Sequence, residues 1–298
     1  MNTKYGIISD VHRDPRIVAP AIEVLKSQGA EKLILNGDIG NSQEFVAFVV
    51  NSAGKSGLET YVQPGSHEKL EDFEPVMEFF KDKYSNLINT VENQKISCNG
   101  HELVFLPGSD FRCGGQYALS NQGLPSKICR DDKNLVRIIN MNDLTKLVSN
   151  PDKTIVICHV PRKFDNMEYG IDMAEFGEVE NDFVMNEEKI ESGSIFPIQI
   201  ASQLYNAGAP ITLKKENRGN KDLEKIYNEL GIRKAVSGHF HESGHRACDR
   251  NGNYVSENEF TDELFWNSGY CDAGQTGILT VSDNKVKYQN INLQDYLK

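Results

Sequence analysis

The chain has 298 residues, of which 39% are hydrophobic and 25% charged. That is enough for one large α/β domain or two smaller ones, with a sizeable core. The formal net charge of −11 counts against a general nucleic-acid or acidic-membrane binder, because no net positive field recruits phosphate backbones. The apolar run near the N-terminus is too short for a secretory signal and is interrupted by Asp10, and no stretch reaches the ~18 apolar residues of a membrane span. Six cysteines without a CxxC pair read as reduced thiols, so a cytoplasmic protein is expected.

The first third alternates strand and helix. Tyr5–Ser9 is a short apolar strand ending at Asp10-Val11-His12, and the spacing predicts a helix over Ile17–Gln28 with Gly29 as its stop. A second buried strand, Lys32–Asn36, ends at Gly37-Asp38. A helix over Ser42–Ala53, a strand over Glu59–Val62 ending at Pro64-Gly65-Ser66-His67-Glu68, and a helix over Leu70–Tyr84 follow. This rhythm implies a parallel sheet with right-handed crossovers. Short strands come next at Leu87–Val91, Lys95–Cys98 and Glu102–Leu106. An irregular excursion spans about 108–135, and Met141–Ser149 reads as helical.

Thr154–Cys158 is another buried strand, ending at His159. Lys221–Leu230 reads as a helix, and Lys234–Ser237 as a strand ending at Gly238-His239-Phe240-His241. Leu264–Asn267, Gly277–Val281 and Lys285–Asn290 read as closing strands. Runs of strands at both ends suggest two stacked sheets with helices outside. An insertion or lid is expected at about 161–220. Within it, Asp165–Ser194 carries ten acidic residues against one lysine, so a net −9 of the total −11 sits in that segment. If it lay over the pocket it would repel long polyanions.

Five of the seven histidines and two aspartates each fall just past an apolar strand. The C-terminal ends of parallel strands share one edge of an open sheet, where ligands bind. Residues scattered over more than two hundred positions therefore converge in one pocket. Imidazole nitrogens and carboxylate oxygens suit Zn2+, Mn2+ and Fe. His239 and His241 lie two apart, which lets them serve different metals, and a carboxylate such as Asp38 can bridge two cations roughly 3.5–4 Å apart.

The ordered set Asp10-x-His12, Gly37-Asp38, Gly65-Ser66-His67-Glu68, Cys158-His159 and Gly238-His239-Phe240-His241 resembles the calcineurin-like metallophosphoesterase superfamily, whose pattern is D-x-H, G-D, G-N-H-[DE], a lone His and G-H-x-H. The resemblance implies a single domain over 1–298 with a four-layer α/β/β/α sandwich, two mixed sheets flanked by helices. It implies two divalent metal ions, Mn2+ first, with Fe, Zn2+, Ni2+ or Co2+ as alternatives. Asp10, His12 and His241 would hold the first metal, Asp38 would bridge, and His159 and His239 would hold the second. A hydroxide held by the metals would attack phosphorus in line, with His67 assisting the leaving oxygen and Glu68 orienting or tuning that imidazole. Ser66 departs from the pattern, since the family has Asn there as a ligand of the second metal, and whether the shorter hydroxyl coordinates is left open.

Arg13 and Arg162 follow two of the motif histidines and are candidates to bind the substrate phosphate. The glycine-rich stretch 108–115 with Arg112 lacks a phosphate-loop lysine. The basic run Lys214, Lys215, Arg218, Lys221 and Lys225 reads as a solvated helix face, His245 as an outer or surface residue, and Asn36 as a strand terminus. The expected activity is hydrolysis of a small phosphodiester or nucleotide. The alternatives are a nuclease acting on DNA or RNA, and a degenerate relative serving as a protein-binding scaffold.

Overall fold

The computed structural model describes residues 2–110, 114–123, 125–131 and 134–297. Arg112, in the glycine-rich stretch read from sequence, lies outside the described residues.

Two six-stranded sheets form the body. In the first, Asn2–Ile8, Lys32–Asn36, Glu59–Gln63 and Leu87–Asn89 run parallel, and Gln275–Ser282 and Lys285–Asn292 extend the other side antiparallel. In the second, Leu264–Asn267, Lys234–Ser237, Thr154–Cys158 and His101–Leu106 are parallel, flanked by antiparallel Ala247–Cys248 and Lys95–Cys98. The strands are nearly continuous apolar runs because both faces of each sheet are covered.

Side chains alternate between two cores, as strand geometry requires. Ile7, Ile34 and Tyr61 meet Phe105, Ile157, Val236 and Trp266 between the sheets. Ile8, Leu35 and Val62 face outward onto Val18, Val46 and Phe73 of the three helices Val18–Ser27, Gln43–Lys55 and Leu70–Lys81. On the far side, Val104, Val156 and Ala235 pack on Leu144, Leu223 and Tyr227. The result is a four-layer α/β/β/α sandwich.

Helix starts follow local chemistry. Ser42 caps Gln43–Lys55 through Phe45 N–H, and Asn220 caps Lys221–Leu230 through Leu223 N–H, with left-handed Gly231 at its end. His101 opens its strand buried against Tyr5 Oη at 2.7 Å, and burial holds its imidazole down to about 4.

The stretch without a sequence period between 108 and 135 contributes to a small three-stranded sheet of Tyr117–Ser120, Lys127–Asp131 and Asn134–Asn140. Gly108, Gly115 and Gln116 donate their amides to the carbonyls of Pro64, Ser66 and Glu68. A Cβ at Gly115 would stand 2.2 Å from the Ser66 carbonyl oxygen. This segment therefore braces the loop that carries His67.

The acidic segment folds as well. Met173–Val179, Ile195–Pro197 and Ile211–Asn217 make a three-stranded antiparallel sheet, covered by the helix Ile198–Asn206 on a small core of Val179, Ala201 and Ile211. Two of its acids are paired across the sheet, Glu175 with Lys215 at 2.9 Å and Glu178 with Lys214 at 2.7 Å. Lys214 and Lys215 thus belong to a strand, and the expected helix face begins only at Lys221.

Candidate metal centre

Asp10, Asp38 and His239 each sit just past the C-terminal end of a parallel strand, where the backbone turns into the left-handed region (φ 60°, 51° and 70°). This sharp turn swings each side chain back over the sheet edge. Gly37 precedes one of these turns at φ 80°, and a Cβ there would stand 2.8 Å from the His159 ring. A Cβ at Gly65 would meet Asp38 Oδ1 at 2.4 Å. Both positions need glycine so that two loops and an imidazole can close on one carboxylate.

The structure brings the predicted side chains into three overlapping groups, each with its donor atoms within 4.8 Å of one another: Asp10, His12 and His241; His12, Asp38 and His67; Asp38, His159 and His239. His241 Nε2 lies 3.2 Å from both Asp10 Oδ1 and His12 Nε2. His159 Nε2 stands 3.0 Å from Asp38 Oδ2, and His12 Nε2 and His67 Nε2 each stand 3.9 Å from the same oxygen. Asp10 and Asp38 are 1% and 2% exposed, and His159 is fully buried.

This donor set fits divalent cations. The Nδ1 of His159 faces the Asn36 carbonyl oxygen at 2.8 Å, the second contact that commonly fixes the tautomer of a ligating histidine. Its buried Nε2 faces Asp38 Oδ2 at 3.0 Å without the alignment of a hydrogen bond. Two imidazole nitrogens, of His12 and His241, stand 3.2 Å apart beside the buried Asp10 carboxylate, a set of donors suited to a shared cation. The electrostatics agree: burial opposes a charge on His159, yet Asp38 and Asp10 raise it to about 10. Burial alone would raise Asp10, but the neighbouring histidines hold it well below its ordinary value.

Two sequence expectations change, those for Glu68 and Arg162. Glu68 does not orient the His67 ring. Its buried carboxylate accepts the amides of Asp38 at 3.3 Å, Ile39 at 2.5 Å, Gly40 at 3.0 Å and Gly65 at 2.6 Å, locking the two loops together. Burial and the adjacent Asp38 raise it to about 7. Arg162 does not reach the cleft. It is 5% exposed, its guanidinium 4.6 Å from the Phe164 ring and 5.2 Å from Phe265, with Nη2 3.3 Å from Glu224. Ser66 donates its hydroxyl to Asp38 Oδ2 at 2.8 Å, and its amide also points at that carboxylate.

Arg13 does line the cleft, beside Tyr270, whose ring stacks on His241 with centroids 3.8 Å apart. His245 turns away to the Thr276 carbonyl oxygen.

Sequence reasoning missed Asp272. Its Oδ2 accepts the amides of His12 and Arg13, both at 2.8 Å, and so holds the first loop from the opposite end of the chain. A carboxylate working through backbone amides leaves no motif. Asn36 and Ser9 were likewise invisible as supports: the Asn36 carbonyl oxygen faces His159, and Ser9 Oγ donates to Asp10 at 2.5 Å.

The cluster opens into a cleft of about 550 Å³. Beyond the histidines and Tyr270, its lining includes Phe240 and, from the acidic insertion, Phe176, Ile195, Pro197 and Arg218.

No protein-family model matches this chain, and no curated protein does. Solved structures do. The protein TT1561 of Thermus thermophilus superposes with a TM-score of 0.57 at 10% identity, covering 98% of this chain and 100% of that one. A dimetal phosphatase from Danio rerio superposes with a TM-score of 0.50, also at 10% identity, covering 98% and 99%. What is shared at such identity is the fold. The chain shares their α/β/β/α sandwich, with its own Asp and His residues gathered at the strand ends.

Proposed function

We propose that this protein is a metal-dependent phosphoesterase, built as one domain, that hydrolyses a small phosphodiester or nucleotide. The observation that carries the reading is the convergence of Asp10, His12, Asp38, His67, His159, His239 and His241 at the floor of one cleft. Asp10, His12 and His241 would hold one divalent cation and Asp38, His159 and His239 a second, with Mn2+ the first choice. When bound, such cations activate water and neutralise charge on a phosphoryl group.

The chain's own residues supply the rest. His67 stands at the rim of the cluster, and burial holds its imidazole below the ordinary value. It is the group to hand a proton to the departing oxygen. Arg13 offers a planar donor fork to phosphoryl oxygens. Glu68, Asp272 and Asn36 position the loops and the His159 ring. No helix among the described residues is long and apolar enough to cross a membrane.

The test is turnover of p-nitrophenyl phosphate and bis(p-nitrophenyl) phosphate with added Mn2+, and its loss on chelation. His67→Ala should lower turnover by about 10²–10⁴-fold while elemental analysis finds the metal retained. Metal lost from that variant would make His67 a ligand, a role its grouping with His12 and Asp38 makes concrete. Absence of turnover with every divalent ion would overturn the phosphoesterase reading.

A further inference from the structure

The insertion is a fixed wall of the cleft. Its two ends are clamped to each other by one buried residue. The Asp172 carboxylate accepts the amides of Phe164 at 3.0 Å and Gly219 at 2.9 Å and the Asn217 side chain at 2.5 Å, while its carbonyl oxygen accepts Arg218 N–H at 2.8 Å. Ser243 Oγ donates to the Met173 carbonyl at 2.7 Å, tying the wall to the turn that carries His241. The shape across from the histidines is therefore set before a substrate arrives, which limits the ordering cost of binding.

The chemistry of that face differs from its composition. The insertion is acidic, yet Glu175 and Glu178 are spent on Lys215 and Lys214. What it turns to the cleft is Ile195, 44% exposed, with Pro197, Ala174 and Gln199, over a buried Phe176 whose ring centroid stands 4.7 Å from the Arg218 guanidinium. Phe240 continues the apolar surface from the body. Apolar surface facing a cluster of polar donors across one cleft marks a binding subsite. The stacked guanidinium leaves its N–H edge for a polar atom of the ligand.

We infer that this wall is the subsite for the organic substituent of the phosphoester and that it selects a ring-sized apolar group, a phenyl or a nucleobase, over a small alkyl group. The inference rests on the phosphoesterase reading for the phosphoryl end of the ligand and adds the identity of the other end.

The experiment titrates the Mn2+-loaded full chain with methylphosphonate and phenylphosphonate by calorimetry, alongside turnover of bis(p-nitrophenyl) phosphate. Phenylphosphonate should bind at least about tenfold tighter, equivalent to about 1.4 kcal/mol. Ile195→Ser, a substitution at an exposed position, should cut that ratio to below about threefold. Equal affinities in the unaltered protein, or an unchanged ratio in the variant, would overturn the subsite while measured turnover leaves the phosphoesterase standing. No binding of either phosphonate together with no turnover would overturn both.

Discussion

The floor of the cleft and its wall are built by opposite means. The floor is buried and held through backbone: Glu68 binds four amides from two loops, Asp272 binds two more, and the left-handed turns at Asp10, Asp38 and His239 aim the side chains. The wall is a small sheet standing out from the body, with ion pairs of half-exposed residues on its strands and a core of only a few side chains. Precision at the floor comes from groups with no freedom to leave. The wall's two ends are clamped to each other at its base, Ser243 ties it to the turn that carries His241, and its face is open to change. A site can thus keep its chemistry constant while its selectivity drifts.

Removing supports from each region measures the contrast. Glu68→Gln sets an amide NH2 against backbone N–H donors at a buried site, and should cost about 2–4 kcal/mol of stability, read by urea denaturation, along with metal retention. Asp272→Ala should weaken metal binding by about 10–100-fold at a smaller cost in stability, read by competitive metal titration. In the wall, Lys215→Met should cost under about 1 kcal/mol and leave metal content alone. A Lys215→Met loss as large as that of Glu68→Gln would erase the distinction between the regions.

Much of the floor was legible because it lies where strand periodicity ends. Asp10, Asp38, His67, His159 and His239 each follow an apolar run, and a sheet edge gathers such positions whatever their separation in sequence. Glu68 was legible as a motif residue but not in its role, and Asp272 not at all, because both act on amides, which every residue has. Arg162 followed a motif histidine as Arg13 did, but the turn after His159 sends it into the outer core between Phe164 and Phe265, which depends on packing rather than adjacency. The acidic segment misled for another reason. Its charge was counted along the chain, whereas Lys214 and Lys215 pair with two of its acids, Glu178 and Glu175, only once Met173–Val179 pairs with Ile211–Asn217. The helix Lys221–Leu230, by contrast, was fully legible, since its cap, its apolar stripe and Gly231 are all local signals.

The clamp at the base of the wall has a consequence for how such a protein can evolve. The chain leaves and re-enters the body at neighbouring points. Met173 stands opposite Asn217 in the register, Lys163 donates its amide to the Asn220 carbonyl, and Asn220 donates to that of Pro161. Everything between is a cassette mounted on a two-strand stem. Loop-closure entropy changes slowly with the length of such an excursion, so it can be shortened, lengthened or exchanged at small thermodynamic cost. Recombination across that seam would deliver a new substrate preference in one step, with the histidines untouched.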